Sequence, residues 1–174
     1  DWSEPVLQAL SAAAGILGAA LARGEMEQRI SASLAREQLA AEIGALLTDE
    51  PRTLDESLHR CSSTLVKHLK ADVVRIWHMD DRGVLLRSSP AAGRVARPLP
   101  VQTVRVGEYG IGRIAATAEP EVWADGIPEL WPGSLTAAEE ERLRGGAGHP
   151  LTKDGRVVGV VTMLLRDRPT DAQL

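Results

Sequence analysis

The fold of this chain is decided by residues 146–161, which read GAGHPLTKDGRVVGVV. The dipeptide Asp154-Gly155 suits a tight type I′ turn, so the residues on either side of it predict a β-hairpin. The returning strand, residues 156–165, is apolar on both of its alternating faces, which predicts a position in the middle of a sheet. Gly159 interrupts this strand and indicates that another backbone or a ligand approaches closely there.

Composition limits the class of protein. The chain has 174 residues, 44% hydrophobic and only 3% aromatic, with four Trp, one Tyr and no Phe, so the core must be mainly aliphatic. A formal net charge of −4 argues against a nucleic-acid partner. One cysteine excludes an internal disulfide and any Cys-based zinc site, and it fits a reducing cytoplasm.

No targeting or membrane segment is predicted. The first residues are acidic rather than basic, unlike a signal peptide. The longest apolar run, residues 9–22, is shorter than the ~20 residues needed to span a bilayer, so we expect no membrane insertion. The chain does not begin with Met, and we expect it to be a segment of a longer cytoplasmic protein.

Residues 5–47 contain no proline after Pro5 and are dominated by Ala and Leu, which predicts helix. Apolar residues recur along them at heptad spacing. The proposed dimerisation seam consists of Leu10, Leu17, Leu21, Ile30, Leu34 and Ile43. Two interpretations stay open: one long helix that pairs with the same helix of a second copy, which we prefer, and a hairpin of two helices that breaks near Gly24.

After the Glu50-Pro51 break, the pattern predicts alternating helices and strands. Thr53 and Glu56 form a capping box that starts a helix, and Cys61 lies on its apolar stripe, where we interpret it as a core residue. Thr136 and Glu139 form a second capping box that starts another helix. Strands are predicted at 71–79, 84–89, 103–106 and 121–124, and a further helix at 112–118.

The glycine-rich stretch 107–115 precedes that further helix. It is neither a Walker loop nor a dinucleotide fingerprint, because the required Lys-Ser or Lys-Thr and the required spacing are missing. The glycines predict a tight turn from strand into helix. A second interpretation is that the helix N-terminus presents free amides to an anionic ligand.

These elements and several short motifs together resemble the GAF domain, a small sensory module of signalling proteins. The motifs are Leu58-His59-Arg60-Cys61, residues 66–72, Arg75-Ile76-Trp77, Arg105-Val106-Gly107, residues 111–115 and residues 147–151. They are similar to a bacterial subgroup found in multidomain sensor histidine kinases. The resemblance implies an α+β fold, with a central antiparallel sheet of about six strands flanked by helices and preceded by a long N-terminal helix or coiled coil. Residues 1–50 would form the signalling helix, and residues 51–174 the sensory domain with the start of an exit helix.

The resemblance implies a non-catalytic sensory or regulatory module that relays a ligand or conformational signal through coiled-coil helices. The alternative is a ligand-free dimerisation and relay module; a haem, metal or redox sensor is less favoured. GAF-type free methionine sulfoxide reductases work through several cysteines, and one cysteine cannot form the required intramolecular disulfide. We therefore expect no catalysis.

The resemblance also implies a pocket enclosed by loops on one face of the sheet. Its candidate residues are Trp77, Tyr109, Ile111, Trp123 and His149. The chain departs from the subgroup at 91–100, 122–125 and 149, so the identity of a ligand is not carried over, and no cofactor or metal is predicted. The expected partners are a second copy of the chain, through the N-terminal helix, and the adjacent domains of the same polypeptide.

Overall fold

The computed structural model describes residues 4–48, 53–94, 102–124 and 126–167. Side chains of α1 are described only at residues 23, 25–46 and 48. The helices and strands, in chain order, are α1 (Glu4–Thr48), α2 (Leu54–Leu69), β1 (Val73–Met79), β2 (Leu85–Ser88), β3 (Ala92–Gly93), β4 (Thr103–Arg105), α3 (Tyr109–Thr117), β5 (Glu121–Trp123), α4 (Ser134–Glu140), β6 (Gly145–Lys153) and β7 (Arg156–Leu165).

The chain divides into two compact units, Asp1–Ala40 and Ala41–Leu174. α1 is a single helix of 45 residues, so the continuous helix, and not a hairpin breaking near Gly24, is what the structure contains. Within the first unit, Ile30 and Leu34 are both 54% exposed. Ile43, in the second unit, is half-buried. The side chains of the remaining seam residues, Leu10, Leu17 and Leu21, lie outside the described part of the structure.

The second unit is built on one antiparallel sheet with the strand order β4-β2-β1-β7-β6-β5, and the two-residue strand β3 pairs with β1. The predicted α+β class, with about six antiparallel strands flanked by helices, is confirmed. In the part of the chain that the structure describes, no helix is both long and apolar enough to cross a bilayer.

The β6–β7 hairpin is confirmed. Asp154 and Gly155 have φ values of +51° and +74°, the positive values that a type I′ turn requires. β7 pairs with β1 on one side and β6 on the other, as its two apolar faces predicted. A Cβ atom at Gly159 would clash with the carbonyl oxygen of Trp77 on β1. The close neighbour that this glycine indicated is therefore another backbone.

Side chains alternate along the strands, so the sheet has two faces with separate cores. Val73 and Trp77 of β1 face α3 and α4 and belong to the larger cluster. Val74 faces α2 and belongs to the smaller one, with Met163. We call these the α3 face and the α2 face.

The two predicted capping boxes had different outcomes. At Thr53 the prediction is confirmed: its hydroxyl accepts from the amide of Glu56 at 3.3 Å, and the Glu56 carboxylate accepts from the amide of Thr53 at 3.1 Å. The second is wrong, because α4 already begins at Ser134. The Ser134 hydroxyl accepts from the amides of Leu130 (2.8 Å) and Trp131 (3.3 Å), and so ties the start of the helix to the preceding segment.

Candidate functional site

Three of the five predicted pocket residues lie together. Trp77 and Ile111 are fully buried, Trp123 is nearly so, and all three belong to the cluster on the α3 face. Tyr109 is the first residue of α3, with a φ of +53° and 37% of its surface exposed. It lies at the rim of this region rather than in its interior.

His149 does not share a site with the other four. A Cβ atom at Gly148 would clash with Ile114 and touch Trp123, so Gly148 faces α3. Successive strand residues point to opposite faces, which places exposed His149 on the α2 face, paired with Val161 of β7. His149 therefore cannot line the same pocket as the other four predicted residues, because the register of β6 sends its side chain to the other face.

The interior of the α3 face is occupied by residues from the 126–133 segment. Leu130 is fully buried and Trp131 is 4% exposed. The Trp131 ring packs against Trp77 with 5.6 Å between the ring centroids and an interplanar angle of 44°. Such a tilted aromatic pair is favourable beyond its area burial. The chain thus places its own indole in the region where the sequence suggested a ligand.

Arg75 is part of this aromatic cluster and was not predicted. It is 2% exposed, and its guanidinium carbon lies 5.8 Å from the ring centroid of Trp77 and 5.6 Å from that of Trp131. Burial lowers the pKa of Arg75 to about 10, so the group stays protonated at neutral pH. The attraction of a cation to the two ring faces stabilises it there. Strand alternation was the available signal, since Arg75 and Trp77 must share a face.

The indole N–H groups of Trp77 and Trp123 have different environments. That of Trp123 donates to the Glu121 carboxylate at 3.2 Å, and Arg113 holds this carboxylate through two bonds of 2.7 and 2.9 Å. The N–H of Trp77 has no hydrogen-bond partner among the described residues. An unsatisfied buried donor costs about 1–3 kcal/mol. Among the five predicted pocket residues, Trp77 is the one whose described surroundings leave such a donor unsatisfied.

The N-terminus of α3 is occupied by the chain itself. The amide of Gly110 donates to the carbonyl of Glu129 at 3.0 Å, and that of Ile111 to the carbonyl of Leu130 at 3.2 Å. A Cβ atom at Gly112 would clash with the carbonyl oxygen of Arg105, so this glycine is needed for the tight turn. Of the two interpretations of the glycine-rich stretch, the structure supports the plain turn, because these two amides are already bonded.

The α2 face carries an open groove of about 200 Å³ between α2 and the strands β5 and β6. Its walls are mainly apolar and include Leu65, Leu69, Val122 and Met163, with His149 at one side. Val122 is 51% exposed there. Open apolar surface in the described structure is therefore found opposite to the face that the sequence suggested.

Neither a metal site nor a reactive thiol is indicated. Among the described residues, no group of three or more His, Cys, Asp or Glu side chains is arranged to hold a metal ion. Cys61 is 6% exposed, and burial raises the pKa of its thiol. A reactive cysteine needs the opposite environment, one that is accessible and electropositive.

Comparison with known proteins gives a consistent family and several structures of similar fold. The structure resembles the A. aeolicus nlh2 GAF domain in an inactive state, with 20% identity and a TM-score of 0.61 over 80% of this chain and 83% of that one. It also resembles the GAF domain from a phosphoenolpyruvate-protein phosphotransferase (ptsP) of Coxiella burnetii, with 18% identity and a TM-score of 0.64 over 83% and 84%.

A third similar structure is the free methionine-R-sulfoxide reductase from Neisseria meningitidis in complex with its substrate, with 20% identity and a TM-score of 0.59 over 80% and 78% of the two chains. At these identities the likeness concerns the fold alone. No curated protein shows significant sequence similarity to this chain. The GAF domain family model, however, matches residues 29–174, which is most of the chain. The chain therefore belongs to the GAF domain family.

Proposed function

We propose that this chain is a non-catalytic regulatory GAF module of a larger bacterial signal-transduction protein, such as a sensor histidine kinase. In this proposal the domain relays a conformational signal without a bound ligand, between α1, which precedes it in the chain, and the residues that follow β7. The observation that carries the proposal is the position of Trp131, whose ring packs on Trp77 inside the α3 face.

The packing around Trp131 supports a closed interior. Leu130 and Ile111 are fully buried beside it, and the amides at the start of α3 are bonded to the same segment. A small ligand on this face would have to displace the large apolar side chains of Leu130 and Trp131. Each of them contributes about 1.5–3 kcal/mol by its burial, so displacement would have a substantial cost.

Mass spectrometry of protein purified from its source organism tests this function. We expect the intact mass of the chain alone, under both native and denaturing conditions, and a colourless solution. A small molecule retained at one equivalent per chain would contradict the ligand-free relay. A visible absorption band would instead indicate a chromophore or haem.

The relay requires contact between copies, which we assign to α1. Met26, Ile30 and Leu34 follow one another at steps of four, and they are 62%, 54% and 54% exposed. A stripe of large apolar side chains on a 45-residue helix is typical of a helix that packs against a partner helix. Leu10, Leu17, Leu21 and Ile43 would extend the same seam.

Sedimentation measurements test the homodimer. We expect a dimer at tens of micromolar, and a monomer when Ile30→Glu and Leu34→Glu are combined. Gln28→Glu and Ala32→Glu introduce the same two charges at exposed residues on the opposite side of the helix, so this control pair should leave the dimer intact. A wild-type chain that sediments only as monomer would contradict the assignment.

Small-molecule sensing is the second candidate, and the buried N–H of Trp77 favours it, because a ligand acceptor could satisfy this donor. Trp77→Phe keeps an aromatic ring and removes the N–H. If a retained molecule is found and is lost in Trp77→Phe but not in Trp123→Phe, sensing replaces the ligand-free relay. Equal retention by both variants would place the ligand elsewhere.

Catalysis and compartment complete the proposal. Two of the similar structures are sulfoxide reductases, but the sole cysteine of this chain is buried with a raised pKa. We expect no reduction of free methionine sulfoxide by the wild type or by Cys61→Ser. Turnover that Cys61→Ser abolishes would make the chain an enzyme. A cytoplasmic location belongs to the same proposal, since a single free thiol suits a reducing compartment.

A further inference from the structure

The residue that follows β7, Arg166, joins three separate parts of the domain. Its Nη1 donates to Asp72 Oδ1 at 2.9 Å, and its backbone amide donates to Asp72 Oδ2 at 2.9 Å. Its Nε donates to the carbonyl of Glu141 at 3.0 Å, and its Nη2 to the Glu141 carboxylate at 3.2 Å and to the carbonyl of Arg94 at 2.8 Å. We call these four residues the Arg166 cluster.

The two carboxylates of the cluster are held away from water. The side chains of Asp72 and Glu141 are 9% and 6% exposed, whereas that of Arg166 is 33% exposed. Arg94 also bonds Asp72 at 2.9 Å, but its side chain is 81% exposed, so it contributes less. Charge-assisted bonds to buried carboxylates are the stronger kind, and the fork of an arginine makes several at once. Arg166 is thus the residue on which the cluster depends.

The cluster sits at the point where the chain leaves the domain. Asp72 lies between α2 and β1, so one partner of Arg166 is in the segment by which the chain enters the sheet. Beyond Asp167 the polypeptide continues toward the C-terminus. Arg166 is therefore covalently continuous with the segment that follows the sheet.

α4 connects the cluster to Trp131. Glu141 is the C-cap of α4, and its amide donates to the carbonyl of Ala137 at 3.1 Å. At the other end, the hydroxyl of Ser134 accepts from the amides of Leu130 and Trp131. α4 has seven residues, about 10 Å of helix, so the two ends are linked by a short stretch of regular backbone and hydrogen bonds.

We propose that Arg166 couples the position of Trp131 to the chain that leaves the domain, with α4 as the rigid connection. This regulatory role rests on the proposed relay function and names the residues that perform it. When Trp131 is in place, its amide bonds the hydroxyl of Ser134 and so fixes the start of α4. Glu141, at the end of α4, in turn bonds Arg166. Release of either end loosens the other, because a coupling free energy between two sites acts equally in both directions.

Amide hydrogen exchange of the full chain, read by NMR, tests the coupling from both ends. In Trp131→Ala, we expect the protection of the Arg166 amide to fall about tenfold, a typical size for coupling between sites. In Arg166→Met, we expect a similar fall at the amides of Leu130 and Trp131. Val84 and Leu85 are the matched reference amides, since they also donate to an aspartate, Asp80, but lie outside the route.

The control variant is Glu121→Gln, which weakens another carboxylate–arginine pair, that with Arg113, and should change neither end. Should Trp131→Ala or Arg166→Met not fold, Trp131→Phe and Arg166→Lys allow the same comparison with smaller changes. An effect confined to the neighbours of each substitution, or an equal fall at Arg166, Val84 and Leu85, would overturn the proposal. Discovery of a bound ligand would remove the ligand-free function but leave this measurement intact, so the two failures are distinguishable.

Discussion

The two faces of the sheet are closed in different ways. On the α3 face, Trp77, Leu130 and Trp131 fill the interior and are almost completely buried. On the α2 face, a groove of about 200 Å³ stays open between α2 and the outer strands, with Val122 51% exposed. The face on which a GAF-type ligand was expected is therefore the one that the chain seals with its own residues.

The difference follows from what covers each face. The 126–133 segment brings Leu130 and Trp131 over the α3 face. Hydrogen bonds hold this segment at three places: to the first amides of α3, to the hydroxyl of Ser134, and from the amide of Gly126 to the carbonyl of Arg144 at 2.9 Å. α2 packs through Leu65, Val66 and Leu69 against the smaller cluster, and β5 extends beyond it. Burial on the two faces should therefore contribute unequally to stability.

The largest expected effect is that of Trp77→Ala, which removes the centre of the sealed face. Loss of a buried Trp side chain typically costs about 3–5 kcal/mol in free energy of unfolding, and urea denaturation measures it. Val122→Ala, on the open face, is the control and should change this free energy by about 0.5 kcal/mol or less. Similar losses in the two variants would break the comparison between the faces.

A smaller loss of stability is expected from Gly159→Ala, at the contact between β1 and β7 in the middle of the sheet. In Gly159→Ala the new Cβ would collide with the carbonyl oxygen of Trp77, so β1 and β7 must separate, at a cost of about 1–3 kcal/mol. Thermal unfolding followed by circular dichroism checks this. Gly44→Ala, in α1 with no atom within 4 Å of the added Cβ, should instead stabilise the helix by up to about 1 kcal/mol. A Gly159→Ala variant as stable as the wild type would contradict the close contact between β1 and β7. A destabilised Gly44→Ala would contradict the open surroundings of Gly44.

The junction of α2 with β1 should depend on pH. Burial alone would raise the pKa of Asp72, but hydrogen bonds from the amide and guanidinium of Arg166 and from Arg94 outweigh it, so the pKa lies below its ordinary value. The unfolded chain then binds more protons near pH 4, the ordinary range of an aspartate. The stabilisation is therefore fully present above that pH and is lost as the pH falls through the lower pKa of the folded state.

Unfolding measured between pH 2 and 7 tests this dependence. Asp72→Asn should flatten the stability profile below about pH 4. Asp81→Asn, which changes an exposed aspartate in the β1–β2 turn, should leave the slope unchanged. Equal slopes in wild type and Asp72→Asn would show that the ion pairs at this junction do not contribute to stability.

The smallest effect is expected at the rim of the sealed face. Arg113 bonds Glu121 through two contacts, but it is 51% exposed, and exposed pairs contribute about 0.2–1 kcal/mol. Arg113→Met should lower the free energy of unfolding by that amount, and less in 1 M salt, where charges are screened. A loss approaching that of Trp77→Ala would mean that the rim, rather than the aromatic interior, closes this face.

The sequence predicted the features that depend on a few adjacent residues. Asp154-Gly155 predicted the turn, and Thr53 with Glu56 predicted the start of α2, because both use local φ angles and local hydrogen bonds. The second capping box failed for the complementary reason. Ser134 is needed by the amides of Leu130 and Trp131, and this demand comes from the folded segment rather than from the motif at Thr136.

The candidate site was predicted only in part. Alternation along β1 placed Trp77 on one face, and Arg75, which shares that face, was missed although the same alternation would have identified it. The face of His149 depends on the register of β6 against β7. A shift of one residue moves every side chain to the opposite face, so composition alone could not separate His149 from Trp77. Residues 126–133 have no periodicity, and no sequence signal directed the Trp131 ring inward.

The sequence by itself determined the family, the antiparallel hairpin at the centre of the sheet and the helical character of the N-terminal segment, because these follow from turn chemistry, hydrophobic periodicity and short motifs. It left open whether that segment is one helix or a hairpin, and the structure decided for one helix. Only the tertiary structure decided that Trp131 fills the α3 face, that His149 lies on the other, and that Arg166 joins Asp72 to Glu141. The physical reason is distance along the chain. Arg166 and Asp72 are 94 residues apart, and such contacts form only when packing of the whole domain brings them together.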